Sequence, residues 1–134
     1  DRKPYDALIA EHHLETQLIL KTDFIPDSQV RDYICAADFV IQPYKNATQS
    51  GVTPLAYHFE KPMLVTRVGG LPDLVPHGQS GWVVEPNSTS IADGILELYR
   101  HGTDYFIPHL RHIKQELSWS VLTDKLIDLA HVIS

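Results

Sequence analysis

Apolar residues along this chain fall into two rhythms: short β-branched runs, and longer stretches in which they recur every three to four positions. Residues 4–17 carry Tyr5, Leu8, Ile9 and Leu14 near the helical period, which predicts a helix. Leu18, Ile19 and Leu20 predict a short buried strand, with residues 23–26 forming the loop after it. Asp27 or Ser28 is placed to cap a helix with Val30, Tyr33, Ile34 and Ala37 on one face. A second strand is predicted over residues 39–42, stopped by Pro43, and a polar loop over residues 44–50 follows. Gly51 leads into a helix with Leu55, Ala56, Tyr57 and Phe59, broken at Lys61-Pro62. Pro54 fits only the first turn of that helix, where a missing N–H leaves no bond unmade.

The third strand, residues 63–68, is continuously apolar rather than alternating, as expected when both sheet faces are covered. Gly69-Gly70 turns the chain into a short helix over 71–75, residues 77–81 form a turn, and residues 82–84 give a fourth strand. Asn87 or Ser88 caps a helix holding Ile91, Ile95, Leu96 and Leu98, closed at Gly102. Two more helices are predicted, over residues 104–117 and 120–133, the last with Leu122, Leu126, Leu129 and Ile133 inward. There are no repeats and no low-complexity stretches. Strands alternating with helices predict an α/β layer structure with a parallel sheet.

At 134 residues the chain is one domain at most, and its 43% apolar and 21% charged shares are slightly low for a globular protein. A net charge of −6, with no Lys/Arg cluster to follow a phosphate backbone, excludes nucleic acid as a partner. No apolar run approaches the ~20 residues a spanning helix requires, and no signal peptide is visible. The single cysteine, Cys35, is expected on the apolar side of its helix, so a disulfide framework within the chain is excluded and a reducing, cytoplasmic home is expected. Asn46-Ala47-Thr48 and Asn87-Ser88-Thr89 match the glycosylation acceptor pattern, which is common by chance. A first residue of Asp1 rather than Met suggests a piece of a longer protein.

The chemistry lies where strands end. Thr48 and Ser50 offer hydroxyls, Gly51 lets a ligand approach the backbone, and the helix opening there presents unpaired N–H groups. Such an end favours an anion by about 0.3–1 kcal/mol; an ordinary polar loop with a serine cap fits the same residues. Gly69-Gly70 also follows a strand and precedes a helix, but it lacks the third glycine and downstream acid of a dinucleotide fingerprint, and a tight turn explains it as well. Of eight histidines, His109 and His112 are spaced i, i+3 and His12-His13 are adjacent; neither matches a zinc pattern, and no metal is expected. No nucleophile elbow is present. The carboxylates near the loops are Asp23, Asp27, Glu60, Asp73 and Glu85. Asp73, in the first turn of a helix, is explained by the helix dipole.

Taken in order, ADFVIQPY (37–44), LAYHFEKP (55–62), MLVTRVGGLPDLV (63–75), HGQSGWVVEP (77–86) and SIADGILELY (90–99) resemble the carboxyl-terminal domain of GT-B glycosyltransferases, more narrowly the retaining group 1 family. The resemblance runs from about Leu18 to Leu129 and identifies residues 1–134 as a partial nucleotide-sugar-binding domain. It implies a Rossmann-like parallel sheet with flanking helices, truncated to about four strands, with the first two strand–helix units missing. In the order 3-2-1-4-5-6 the absent strands include the centre of the sheet, so strand 3 would stand apart from strands 4 to 6 and the exposed edges would favour self-association.

The implied activity is transfer of a hexosyl unit, with retention, from a nucleotide diphosphate sugar to an acceptor held by a missing amino-terminal domain. The fragment alone would be inactive. No cofactor is implied, because the nucleotide sugar is itself the donor substrate. Any peripheral membrane association would come through the missing domain. Thr48, Gln49, Ser50, Gly51 and Val52 would receive the diphosphate, Ile25 and Pro26 in the loop 23–26 would lie against the base, and Gly69 and Gly70 would shape the rim. The sequence departs from the family where a pair of acids is usual, at Ala47 and Leu55; Thr48, Gln49 and Ser50 would substitute as neutral groups. The alternatives are a sugar-nucleotide epimerase of the same architecture, which needs cleft carboxylates, and a non-catalytic α/β binding or regulatory module.

Overall fold

The computed structural model describes residues 2–133. Ten elements follow one another: α1 (Lys3–Glu11), α2 (Asp27–Ala36), β1 (Val40–Gln42), α3 (Val52–His58), β2 (Met63–Thr66), α4 (Leu71–Leu74), β3 (Gly81–Val84), α5 (Ser88–His101), α6 (Thr103–Glu116) and α7 (Trp119–Ile133). The strands form one parallel sheet in the order β1-β2-β3. Val40 stands beside Met63, and Met63 beside Gly81. Every crossover between neighbouring strands therefore passes through a helix, α3 and then α4, as parallel pairing demands.

β2 is the axis of the core. Met63, Leu64, Val65 and Thr66 are all fully buried, which is why that run is apolar without alternation. α5 lies on β2 and β3 and also touches α6, which in turn packs on α3. Gly94 lets α5 settle directly on the sheet, since a Cβ there would stand 2.7 Å from Leu64 Cδ1 and from Val84 Cγ1. Leu98 of α5, and Phe106 and Leu110 of α6, complete the buried cluster. Asn87 caps α5 as expected, its side chain accepting from the Ser90 amide at 2.9 Å, and Gly102 closes the helix.

Five expectations are corrected. Leu18, Ile19 and Leu20 form no strand and are exposed, because no strand among the described residues runs beside them to complete a ladder. The sheet thus has three strands rather than four. α1 ends at Glu11 rather than reaching Gln17: His13 adopts φ +54°, which reverses the chain and sends the Leu14 amide back to the Ile9 carbonyl at 2.9 Å. Cys35 is exposed, since α2 has no buried residue and only Val30 and Ile34 on it are even half-buried. Leu122, Leu126 and Leu129 face solvent rather than inward, because no element among the described residues covers that face of α7; the side chain of Ile133 lies outside the described residues.

Candidate functional site

The carboxyl ends of β1 and β2 come together as a rim, and a chain of hydrogen bonds fixes its shape. Beneath it, Gln42 closes β1 and faces Thr53 of α3, both almost fully buried. The Gln42 amide donates to Thr53 Oγ1 at 3.2 Å, and that hydroxyl lies 3.3 Å from Gln42 Oε1. Pro43 has no amide to continue a ladder, so the chain leaves the sheet there. Thr66 at the end of β2 donates its hydroxyl to the Tyr44 carbonyl at 2.6 Å, tying the start of the loop to the central strand.

The two loops singled out in the sequence are pressed together. Gly70 donates its amide to the Thr48 carbonyl at 3.1 Å. Gly69 sits at φ +52° with its α-carbon face against residue 47, where a Cβ would fall 1.7 Å from the Ala47 carbonyl oxygen. Only glycine fits that contact.

Within the first loop, Ser50 Oγ accepts the Val52 amide at 3.2 Å and lies 3.4 Å from the Tyr44 hydroxyl. The Thr53 amide reaches the Ser50 carbonyl at 3.4 Å. The Val52 amide is therefore capped by a neighbouring serine rather than bare. The amides of Gln49, Ser50 and Gly51 donate to no acceptor among the described residues. Thr48, Gln49 and Gly51 are exposed, and nothing stands within 4 Å of a Cβ built on Gly51, so the space in front of this turn is open.

Ile25 is half-buried, and Pro26 is exposed and immediately precedes α2. On α2, Asp27, Val30 and Arg31 share a face; on and just after α3, Leu55, His58 and Phe59 do the same. The two triplets line one cleft of about 360 Å³. Ala47 turns toward the core and Leu55 into this cleft, so neither position of the expected acid pair offers a polar group.

Two of the carboxylates near the loops, Glu60 and Glu85, are held in ion pairs. Glu60 is gripped by Arg111 Nε at 2.9 Å and Lys114 Nζ at 3.3 Å. The hydrogen bond from Arg111, helped by Lys114, holds its carboxyl below the ordinary value of 4.5. Glu85 pairs with Arg67 at 2.9 Å, and Asp73 sits in the first turn of α4. Burial pushes the Tyr57 phenol upward; its hydroxyl donates to the Leu74 carbonyl at 2.6 Å and lies 2.8 Å from Ser80 Oγ, which locks α3 to α4. Among the described residues, no three His, Cys, Asp or Glu side chains stand together as a metal site would require. Nor is any helix long and apolar enough to cross a membrane.

Sequence reasoning found the two loops but missed what clamps them: Gln42, Thr53, Tyr44 and Thr66. A glutamine ending a buried strand was the available signal, since a core amide requires a partner.

Comparison with known proteins gives four findings. The family model described as glycosyl transferases group 1 matches residues 2–101. Sucrose-phosphate synthase from Thermosynechococcus elongatus superposes with a TM-score of 0.78 at 20% identity, over 98% of this chain and 34% of that one. The Anabaena protein HepE, solved in complex with UDP, superposes with a TM-score of 0.76 at 18% identity, over 97% of this chain and 36% of that one. A trehalose phosphorylase from Grifola frondosa is 40% identical over 45 residues, which is 33% of this chain and 6% of that protein. The chain thus spans about a third of the length of either solved structure.

Proposed function

The chain belongs to the group 1 glycosyl transferases and has the α/β architecture of a Rossmann-like GT-B domain; from this we propose that it holds the nucleotide-sugar donor of a retaining hexosyltransferase. The diphosphate would sit before the turn 48–52. There the amides of Gln49, Ser50 and Gly51 are free to donate, and the Thr48 hydroxyl is exposed. Donors fixed before the reaction stabilise the charge that builds on a leaving diphosphate, because no reorganisation is needed as it forms. Gly69 and Gly70 hold that turn from behind, and Ser50 keeps the Val52 amide aligned with it. Ile25 and Pro26 would border the base. The acceptor would be held by a separate amino-terminal domain, so this chain alone would bind donor without turning it over.

The observation that carries this reading is the family match over residues 2–101, which takes in both loops of the rim. The absence of carboxylates at positions 47 and 55 favours one competitor, a non-catalytic module of the same fold. Titration calorimetry with UDP- and GDP-sugars separates the two. A transferase donor site binds one of them, and Gly51→Val abolishes that binding by filling the open space before the turn. Gly51 has φ −67°, so the substitution introduces no backbone strain. Unchanged affinity in that variant removes the loop from the site, and no binding of any sugar nucleotide favours the module.

A further inference from the structure

One face of α6 is a stripe of hydrogen-bond donors. Arg111, Lys114 and Gln115 on that helix, and Ser118 just beyond its end, recur at i, i+3, i+4 and i+7, the spacing that sets side chains on one face. With Glu60 they line a cleft of about 390 Å³. Glu60 is the carboxylate of that lining, and it accepts from Arg111 Nε at 2.9 Å and Lys114 Nζ at 3.3 Å. Two cations thus face one acid, so the cleft keeps a positive charge in a chain whose net charge is −6.

The lining offers more donors than Glu60 takes up. A guanidinium carries its N–H groups in a planar fork, and only Nε of Arg111 is engaged; its two terminal nitrogens bond to no described residue. Lys114 divides its ammonium between Glu60 and the His58 carbonyl, the latter at 2.8 Å, which leaves one N–H over. The Gln115 side-chain amide makes no hydrogen bond with a described residue. A planar fork beside an ammonium suits the oxygens of a phosphate group. The volume falls at the small end of the range for small-molecule sites, more than a bare ion fills. Gly51 precedes α3 and Glu60 follows it, so this cleft and the turn 48–52 stand at opposite ends of that helix.

We propose that this cleft binds the phosphate group of a small phosphorylated molecule, with Arg111 and Lys114 gripping its oxygens and Glu60 competing for both cations. The site is separate from the donor turn and does not rest on the donor-site reading. Glu60 sets its strength. The carboxylate occupies the same donors that a phosphate needs, so an incoming dianion has to win them from it.

The test titrates this chain with phenyl phosphate and with inorganic phosphate at neutral pH, following amide signals by NMR. Phenyl phosphate is expected to shift the Gln115 side-chain signals and to bind at least as tightly as inorganic phosphate. Arg111→Gln should weaken it about tenfold, the scale of hydrogen bonds to a charged group. Glu60→Gln should tighten it about fivefold by removing the competing charge, a gain that a merely structural ion pair would not produce. Arg111 is 64% exposed, so a near-native thermal midpoint is the folding control. Should that variant unfold, Gln115→Glu adds a carboxylate to the cleft without touching the three-residue network, and it too should weaken binding. Shifts that vanish in Gly51→Val but survive in Arg111→Gln put the phosphate at the donor turn and overturn the cleft. So do binding of inorganic phosphate without phenyl phosphate, equal affinity in every variant, and no binding at all; the first two mean an adventitious ion only.

Discussion

Gly69 and Gly51 stand on the same rim but respond to a side chain in opposite ways. At Gly69 a methyl group would collide with the Ala47 carbonyl at 1.7 Å, in a backbone conformation that L-residues avoid. Gly69→Ala is expected to lower stability by about 1–3 kcal/mol from the conformation alone, with the collision adding to it. Urea unfolding followed by tryptophan fluorescence reads the loss. A second residue-scale prediction concerns Thr53. Replacing it with valine keeps the shape but leaves the buried Gln42 amide with only Met63 Sδ at 3.7 Å, a weak acceptor. Thr53→Val should therefore cost about 1–3 kcal/mol, and an unchanged unfolding midpoint would mean that the Gln42–Thr53 pair stabilises nothing. The glycines were legible in the sequence because strand, Gly-Gly and helix follow one another locally. The Gln42–Thr53 pair was not, because those residues lie eleven apart and meet only once α3 has folded back over the sheet.

At the scale of elements, the end of α3 and the face of α6 are joined by one carboxylate. Glu60 sits at φ +54°, just beyond α3, and holds both Arg111 and Lys114, while Lys114 also donates to the His58 carbonyl at 2.8 Å. Its acidity is raised in the folded chain, so unfolding below the ordinary carboxyl value takes up a proton that the native state resists. The contribution is therefore fully present above about 4.5 and is lost as the pH falls from there through the lower folded value. Unfolding midpoints at pH 6 and pH 3.5 should differ more for the native chain than for Glu60→Gln, which has no proton to take up; parallel shifts in the two proteins would show that the contact does not matter. Periodicity placed nearly every element, including β2 and β3 with their continuous apolar runs. It failed where an element depends on its neighbours. Leu18-Ile19-Leu20 has the composition of a strand, yet a strand exists through its ladder, and no partner runs alongside it. The leucines of α7 have the spacing of a core face without a core to meet.

Across the whole molecule these same segments leave apolar surface uncovered on a sheet with two strand edges. Ile19 is 88% exposed, Phe24 87% and Trp119 83%, and Leu122, Leu126 and Leu129 expose about half their surface. β1 and β3 both end the sheet, with no fourth strand among the described residues. Large exposed apolar side chains gain from burial against a partner, and open strand edges are templates for pairing. In solution at micromolar concentration this chain is therefore expected to form dimers or larger assemblies, measured as mass by light scattering. Because the α7 face carries little of the core, Leu126→Lys with Leu129→Lys should shift the mass toward monomer with an unfolding midpoint changed by no more than the surface range of about 0.5 kcal/mol. If the assembly survives that variant but breaks with Ile19→Lys and Phe24→Lys, the contact lies at the segment before α2. A native chain that is monomeric throughout would show that neither face drives association, and the exposed leucines of α7 would then need another explanation than self-pairing.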